Sequence, residues 1–271
     1  MLESLMSIDE IKEKPYLMFF WALIIGSIAV IISIQVAFQM SVAGISVNLS
    51  GLFAVIFSII PSSYFITLLI NREEEIEEEE IERHITKGLW ARHEKDILIL
   101  LFYFAGLTIS FAVWTTILPV DFFQVQVSKI NEIRGIVTGR VIGYASNPFL
   151  NFMVILVNNL QVMFFAFLFS FIFGAGAVFI LVWNASILGV YIGQLSKVLW
   201  QIPVVSLSFL PHGIPEIAGY VAAALAGGLV SAAILRKNKT RVLKIVIIDS
   251  LKILLLAVGL IFLGAAIEAY L

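Results

Sequence analysis

Two side chains have the type and spacing for proton chemistry, His212 and Glu216, within Leu210-Pro-His-Gly-Ile-Pro-Glu216. An imidazole titrates near neutrality, so the pair can exchange a proton. A histidine oriented by a carboxylate can also act as a general base, and the two could serve as zinc ligands. A third use is a hydrogen-bonded lock with no turnover. Pro211, Gly213 and Pro215 surround the pair as expected helix breaks. Proline lacks an N–H and presets φ, which suits the first turn of a helix. The spacing therefore predicts an irregular entry through His212-Gly213 and a helix from Ile214 onward. Glu216 then falls in the first turn, where the helix dipole favours a carboxylate. At i and i+4 the two side chains can meet.

The elements that must position this pair are set by composition. The 271 residues are 61% hydrophobic and 13% charged, with mean hydropathy +1.03. Soluble domains carry about 25% charged residues. The chain is read as an all-α, polytopic transmembrane helix bundle, with about seven spans plus one re-entrant or interfacial segment. The lipid membrane is its first partner. Net charge −2 argues against a nucleic-acid partner. The absence of cysteine removes disulfides, thiolate metal sites and cysteine nucleophiles. No cofactor is expected. The first apolar run is too long for a cleavable signal and is read as a permanent span.

In chain order, residues 1–14 are expected to form a short amphipathic helix. Spans are expected at about 15–40 and 49–70, joined by an uncharged tight turn at 41–48. Pro61 should kink the second, with Ser62 and Ser63 helping to satisfy the freed backbone. Residues 1–70 make an N-terminal transmembrane hairpin, followed by an acidic helical linker, 71–96, and a membrane core domain, 97–271. Eight of the ten residues from Glu73 to Glu82 are glutamate, and isoleucines recur at near-helical spacing. This run reads as a solvated helix or as a docking arm for a basic partner. His84 and His93 stand nine apart, which is not helical ligand spacing, and no metal site is expected.

A third span is expected at 97–118, then an amphipathic surface helix within 119–148, where Gly135, Gly139 and Gly143 recur every fourth residue. The fourth span, 148–173, carries Asn158 and Asn159. Gly174 and Gly176 mark a helix break before the fifth, 177–196, which holds Asn184 and the Gly189-x-x-x-Gly193 step. Residues 198–210 are too short to span alone and read as re-entrant. The sixth span, 214–235, is rich in small residues that let helices approach closely. A seventh follows at 245–269.

Lys and Arg counts set the orientation. With the N-terminus inside, inner segments hold twelve and outer segments four, with Lys252 in the last span. A multi-pass cell-membrane protein is expected, with N-terminus and acidic linker cytoplasmic and C-terminus outside. His212 and Glu216 then lie toward the outer half.

Asn158-Asn159, the Gly174-x-Gly176 break, Asn184 with Leu188-Gly189, and Pro211-His-Gly-x-x-Glu216 before an Ala/Gly-rich helix resemble the stage II sporulation protein M family. The resemblance covers about 97–271. One departure is visible: the family usually has Asn-Gly before its Leu-Gly step, whereas Ala185 follows Asn184 here. The resemblance implies an integral membrane protein working within a complex with protein partners. Small-residue faces add the expectation of a homodimer. Three readings stay open. One is a non-enzymatic scaffold locked by Asn158, Asn159, Asn184, His212 and Glu216. The second is a secondary transporter or flippase using His212 and Glu216 at a broken helix. The third is an intramembrane hydrolase, for which no Gly-x-Ser-x-Gly or His-Glu-x-x-His motif occurs.

Overall fold

The computed structural model describes residues 8–36, 39–42, 45–83, 89–137, 147–174, 176–236 and 240–270. Among these described residues, seven helices are long and apolar enough to cross a membrane. In lipid every backbone polar group must be satisfied within the element, which is why the apolar runs fold as helices.

A short helix α1 (Ile8–Glu13) precedes the first spanning helix α2 (Leu17–Gln35). The expected tight turn is instead a small antiparallel hairpin, β1 (Gln39–Val42) with β2 (Ile45–Asn48). The chain is free to leave the helix there because it carries alternating Met40, Val42, Ile45 and Val47, a strand pattern. Asn48 then accepts the Ser50 N–H at 2.9 Å and starts α3 (Ser50–Glu82).

α3 is one helix from the apolar run through the acidic run. Pro61 lies inside it. Ser62 and Ser63 donate one turn back, to the Ser58 and Ile59 carbonyls at 2.6 and 2.8 Å, beside the carbonyl that Pro61 frees. The inner face of the acidic run is buried, with Glu73, Glu74 and Glu80 inside the fold. α4 (Leu89–Ile117) follows and packs closely on α2. A Cβ at Gly106 of α4 would strike the Phe19 carbonyl, and Ser27 and Ser110 share a 3.1 Å hydrogen bond.

After a 3₁₀ turn at Val120–Phe123 comes α5 (Gln124–Val137), the expected amphipathic segment. Gly139 and Gly143 lie outside the described residues. Asn147 accepts the Phe149 N–H at 3.0 Å and, with Pro148 in the first turn, starts α6 (Pro148–Phe173). The break at Gly174 is present. Its φ of 65° is a conformation that favours glycine, and Ser170 donates to its carbonyl at 2.6 Å. α7 (Ala177–Leu195) runs back with Gly189 against the Thr108 carbonyl and Gly193 against Thr115 of α4.

The re-entrant segment does not occur. A 3₁₀ turn at Leu199–Gln201 leads into one unbroken helix, α8 (Ile202–Leu235), which contains residues 202–210 and both Pro211 and Pro215. The break expected at Pro211, Gly213 and Pro215 is likewise absent. Each proline removes one N–H bond and crowds the carbonyl one turn back, but in membrane helices packed neighbours and local adjustment accommodate this; Pro211 is exposed and Pro215 buried. α8 is the most buried span and packs between α6 and α9 (Thr240–Tyr270). Lipid gives helices no hydrophobic drive toward one another, so close approach must supply the contact. The paired Ala and Gly positions of α8 do this; Gly227, for example, lies against the backbone of Phe167 and Phe171.

Candidate functional site

Because α8 is continuous, His212, Glu216 and Tyr220 fall at i, i+4 and i+8 on one face. α6 brings Asn159 to that face. The Tyr220 hydroxyl donates to Asn159 Oδ1 at 2.7 Å, and Asn158 Nδ2 donates to the same oxygen at 3.3 Å. Asn159 is buried whereas Asn158 is exposed, so the first asparagine leans on the second. α9 brings Gly264 and Glu268. Glu216 is only 9% exposed, and its carboxyl group faces Asn159 and Glu268. His212 is near enough to Glu268 to act on its charge and sets its ring edgewise on Phe209, with centroids 5.8 Å apart. Among the described residues, Glu216 Oε1 and Asn159 Nδ2 have no hydrogen-bond partner.

Asn184 is not brought to this group. Its Nδ2 donates to the Ile180 carbonyl of its own helix at 2.8 Å. Tyr220, Gly264 and Glu268 belong to the site and escaped the sequence reading. Tyr220 carried a readable signal, since it continues the four-residue spacing from His212 through Glu216. Glu268 lies near the end of a long apolar helix, where its sequence position gives no sign of a neighbour on α8.

About twenty residues separate Glu216 from Arg236, some 30 Å of helix, which is the thickness of the hydrocarbon layer. A membrane edge at Arg236 therefore puts the other edge near Glu216. Beside the site, an open apolar groove of ≈ 530 Å³ runs between α8 and α9, lined by Pro211, Ile214, Pro215, Ala218, Leu260 and Leu263 among others. Its walls suit hydrocarbon and offer nothing to a polar solute.

At the opposite end, Arg236 joins α8 to the acidic run of α3. Its guanidinium meets Glu74 at 2.8 Å, Glu75 at 3.1 Å and Glu78 at 3.6 Å. Lys12 meets Glu73 at 2.5 Å and Asp96 at 3.5 Å. Burial works against the Lys12 ammonium, but Asp96 and Glu73 outweigh it and raise its pKa above the usual lysine value. His84 lies outside the described residues, so its relation to His93 is not part of this picture.

The sequence profile of the stage II sporulation protein M family matches residues 98–271. An uncharacterized protein of Methanocaldococcus jannaschii is 33% identical over 146 residues, which is 52% of this chain and 82% of that relative. No solved structure matches.

Proposed function

The chain belongs to the stage II sporulation protein M family, and on that premise we propose that it is a non-enzymatic membrane scaffold, a component of a membrane complex with protein partners. The observation that carries this reading is the unbroken course of α8 through the polar group, with Gly264 packed directly against Glu216. A secondary transporter holds its ligand where helices unwind and free backbone groups turn to the site. Here Tyr220 and Asn159 bond α8 to α6 while the helix stays intact, which is how a lock specifies packing. The small-residue faces of α7 and α8 are occupied within the chain, so a homodimer would use another surface. The Lys and Arg count, and the contact of Arg236 with the acidic run, support an N-terminus and acidic segment on the cytoplasmic side of the cell membrane and a C-terminus outside.

A proton-coupled transporter or flippase is the second reading. It is favoured by the neighbouring carboxyl groups of Glu216 and Glu268 with His212 near them, and by the apolar groove between α8 and α9 that Pro211 and Pro215 line. The absence of native cysteine allows a direct test. Single cysteines at Gly213 and Ile217 are labelled in oriented vesicles with a membrane-impermeant maleimide, applied from each side in turn. The scaffold reading expects each position to be reached from one side at most. Labelling of one position from both sides means alternating access and replaces the scaffold by the transporter.

A further inference from the structure

A second polar centre lies at the end of the bundle away from Glu216. Glu73 of α3 and His93 and Asp96 of α4 are 2%, 1% and 1% exposed. His93 and Asp96 are three residues apart, so they share one face of α4. One ligand atom from each of the three lies within 4.8 Å of the other two. Glu73 divides its carboxylate: Oε2 is held by Lys12 at 2.5 Å, while Oε1 is turned to His93 Nδ1 at 3.5 Å. Lys12 also stands 3.5 Å from Asp96 Oδ1. Among the described residues, neither ring nitrogen of His93 and neither carboxylate oxygen of Asp96 has a hydrogen-bond partner.

This arrangement is poor as an ion-pair lock. One ammonium serves two buried carboxylates, and the buried imidazole makes no hydrogen bond, its Nδ1 standing 3.5 Å from Glu73 Oε1. Buried polar atoms are normally paired, and buried charges pair or coordinate metals. A divalent cation addresses both deficits: it adds the positive charge that two carboxylates and one ammonium lack, the excess being balanced by hydroxide or an anion at its open position, and it takes the free lone pairs. We propose that Glu73, His93 and Asp96 form a binding site for a divalent transition-metal ion, with zinc the best match to one imidazole and two carboxylates. Zinc–nitrogen and zinc–oxygen bonds of about 2.0–2.2 Å place ligand atoms roughly 3.4 Å apart. Small side-chain rotations close the present spacing to that value. Lys12 keeps the outer oxygen of Glu73 and orients it, as carboxylate partners of metal ligands do. Three protein ligands leave a position open for water or an anion. The ion would tie α3 to α4 across the segment at 84–88. The site lies outside residues 98–271, the part matched by the family, and so belongs to the N-terminal addition.

The test uses the full chain purified in dodecyl maltoside, stripped with EDTA and dialysed against zinc chloride or manganese chloride. Retained metal is measured by elemental analysis and thermal unfolding is followed in parallel. One zinc per chain and a raised Tm are expected for the wild type. His93→Gln and Asp96→Asn should each lose both effects, whereas Glu79→Gln, on the exposed side of the acidic run, should keep them. Cobalt added to the stripped wild type should give visible d–d bands, a readout that needs no variant to fold. Folded wild-type protein that retains neither metal and gives no cobalt spectrum overturns the site. Metal retention that His93→Gln and Asp96→Asn leave unchanged overturns it equally, by assigning the ion to the surface glutamates.

Discussion

The side chain of Glu216 lies where Gly264 would carry a Cβ: an atom built there falls on Glu216 Cγ and 3.0 Å from the His212 carbonyl. Glycine at 264 is therefore what lets α9 close on the polar face of α8. Gly264→Ala should force the two helices apart or turn Glu216 away from Asn159. Overpacking of this kind costs about 1–3 kcal/mol. A lowered Tm in detergent is the expected result, and a Tm equal to the wild type would mean that α9 is not held at this point.

Asn159 and Tyr220 form the one direct side-chain hydrogen bond between α6 and α8 among the described residues of the site. Tyr220→Phe should cost about 0.5–1.5 kcal/mol. Asn159→Leu should cost more, about 1–3 kcal/mol, because it strands the buried tyrosine hydroxyl. A double-mutant cycle should give a coupling near 0.6 kcal/mol and not above about 1.7. Equilibrium unfolding in mixed micelles with increasing sodium dodecyl sulfate measures all four corners. Zero coupling would separate the two residues energetically despite their 2.7 Å contact.

Arg236 closes the other end of α8 against Glu74, Glu75 and Glu78. Glu74 is fully buried, whereas Glu75 is half exposed, so the contributions differ. Arg236→Ala should destabilise by about 1–3 kcal/mol, between the values for exposed and buried pairs. Raising the salt concentration should weaken the exposed part in the wild type and leave the loss of the Glu74 pair visible. Tm measured against sodium chloride for wild type and Arg236→Ala checks this. Two curves that merge at high salt would reduce the contact to surface screening.

The seven spans were legible because lipid leaves little choice: about twenty apolar residues in a row must become a helix. His212 and Glu216 were legible for the same reason, as ionisable groups stranded in an apolar run. What failed was the weight given to proline. Pro211 and Pro215 were read as breaks, yet in a packed bundle a missing N–H bond is tolerated when the neighbours hold the helix straight. Continuity of the helix puts His212 on the same face as Glu216 and Tyr220. Glu268 and Gly264 come from a helix forty and more residues away, and only the packing of α9 on α8 brings them in. The Glu73, His93 and Asp96 group was half readable. His93 and Asp96 sit one turn apart, but the comparison was made with His84, and nothing in the sequence shows that the acidic run folds inward.

The close fit of α2 on α4, through Gly106 against the Phe19 carbonyl and Ser27 against Ser110, joins residues before the family-matched stretch 98–271 to residues within it. Gly106 and Ser110 belong to the core, and their counterparts belong to the addition. A family member built from the core alone would present that narrow stripe of α4 uncovered. Lipid chains fill such a stripe poorly, so it is a natural seat for a separate helical subunit. In this chain the hairpin itself covers that stripe, through Phe19 and Ser27 of α2.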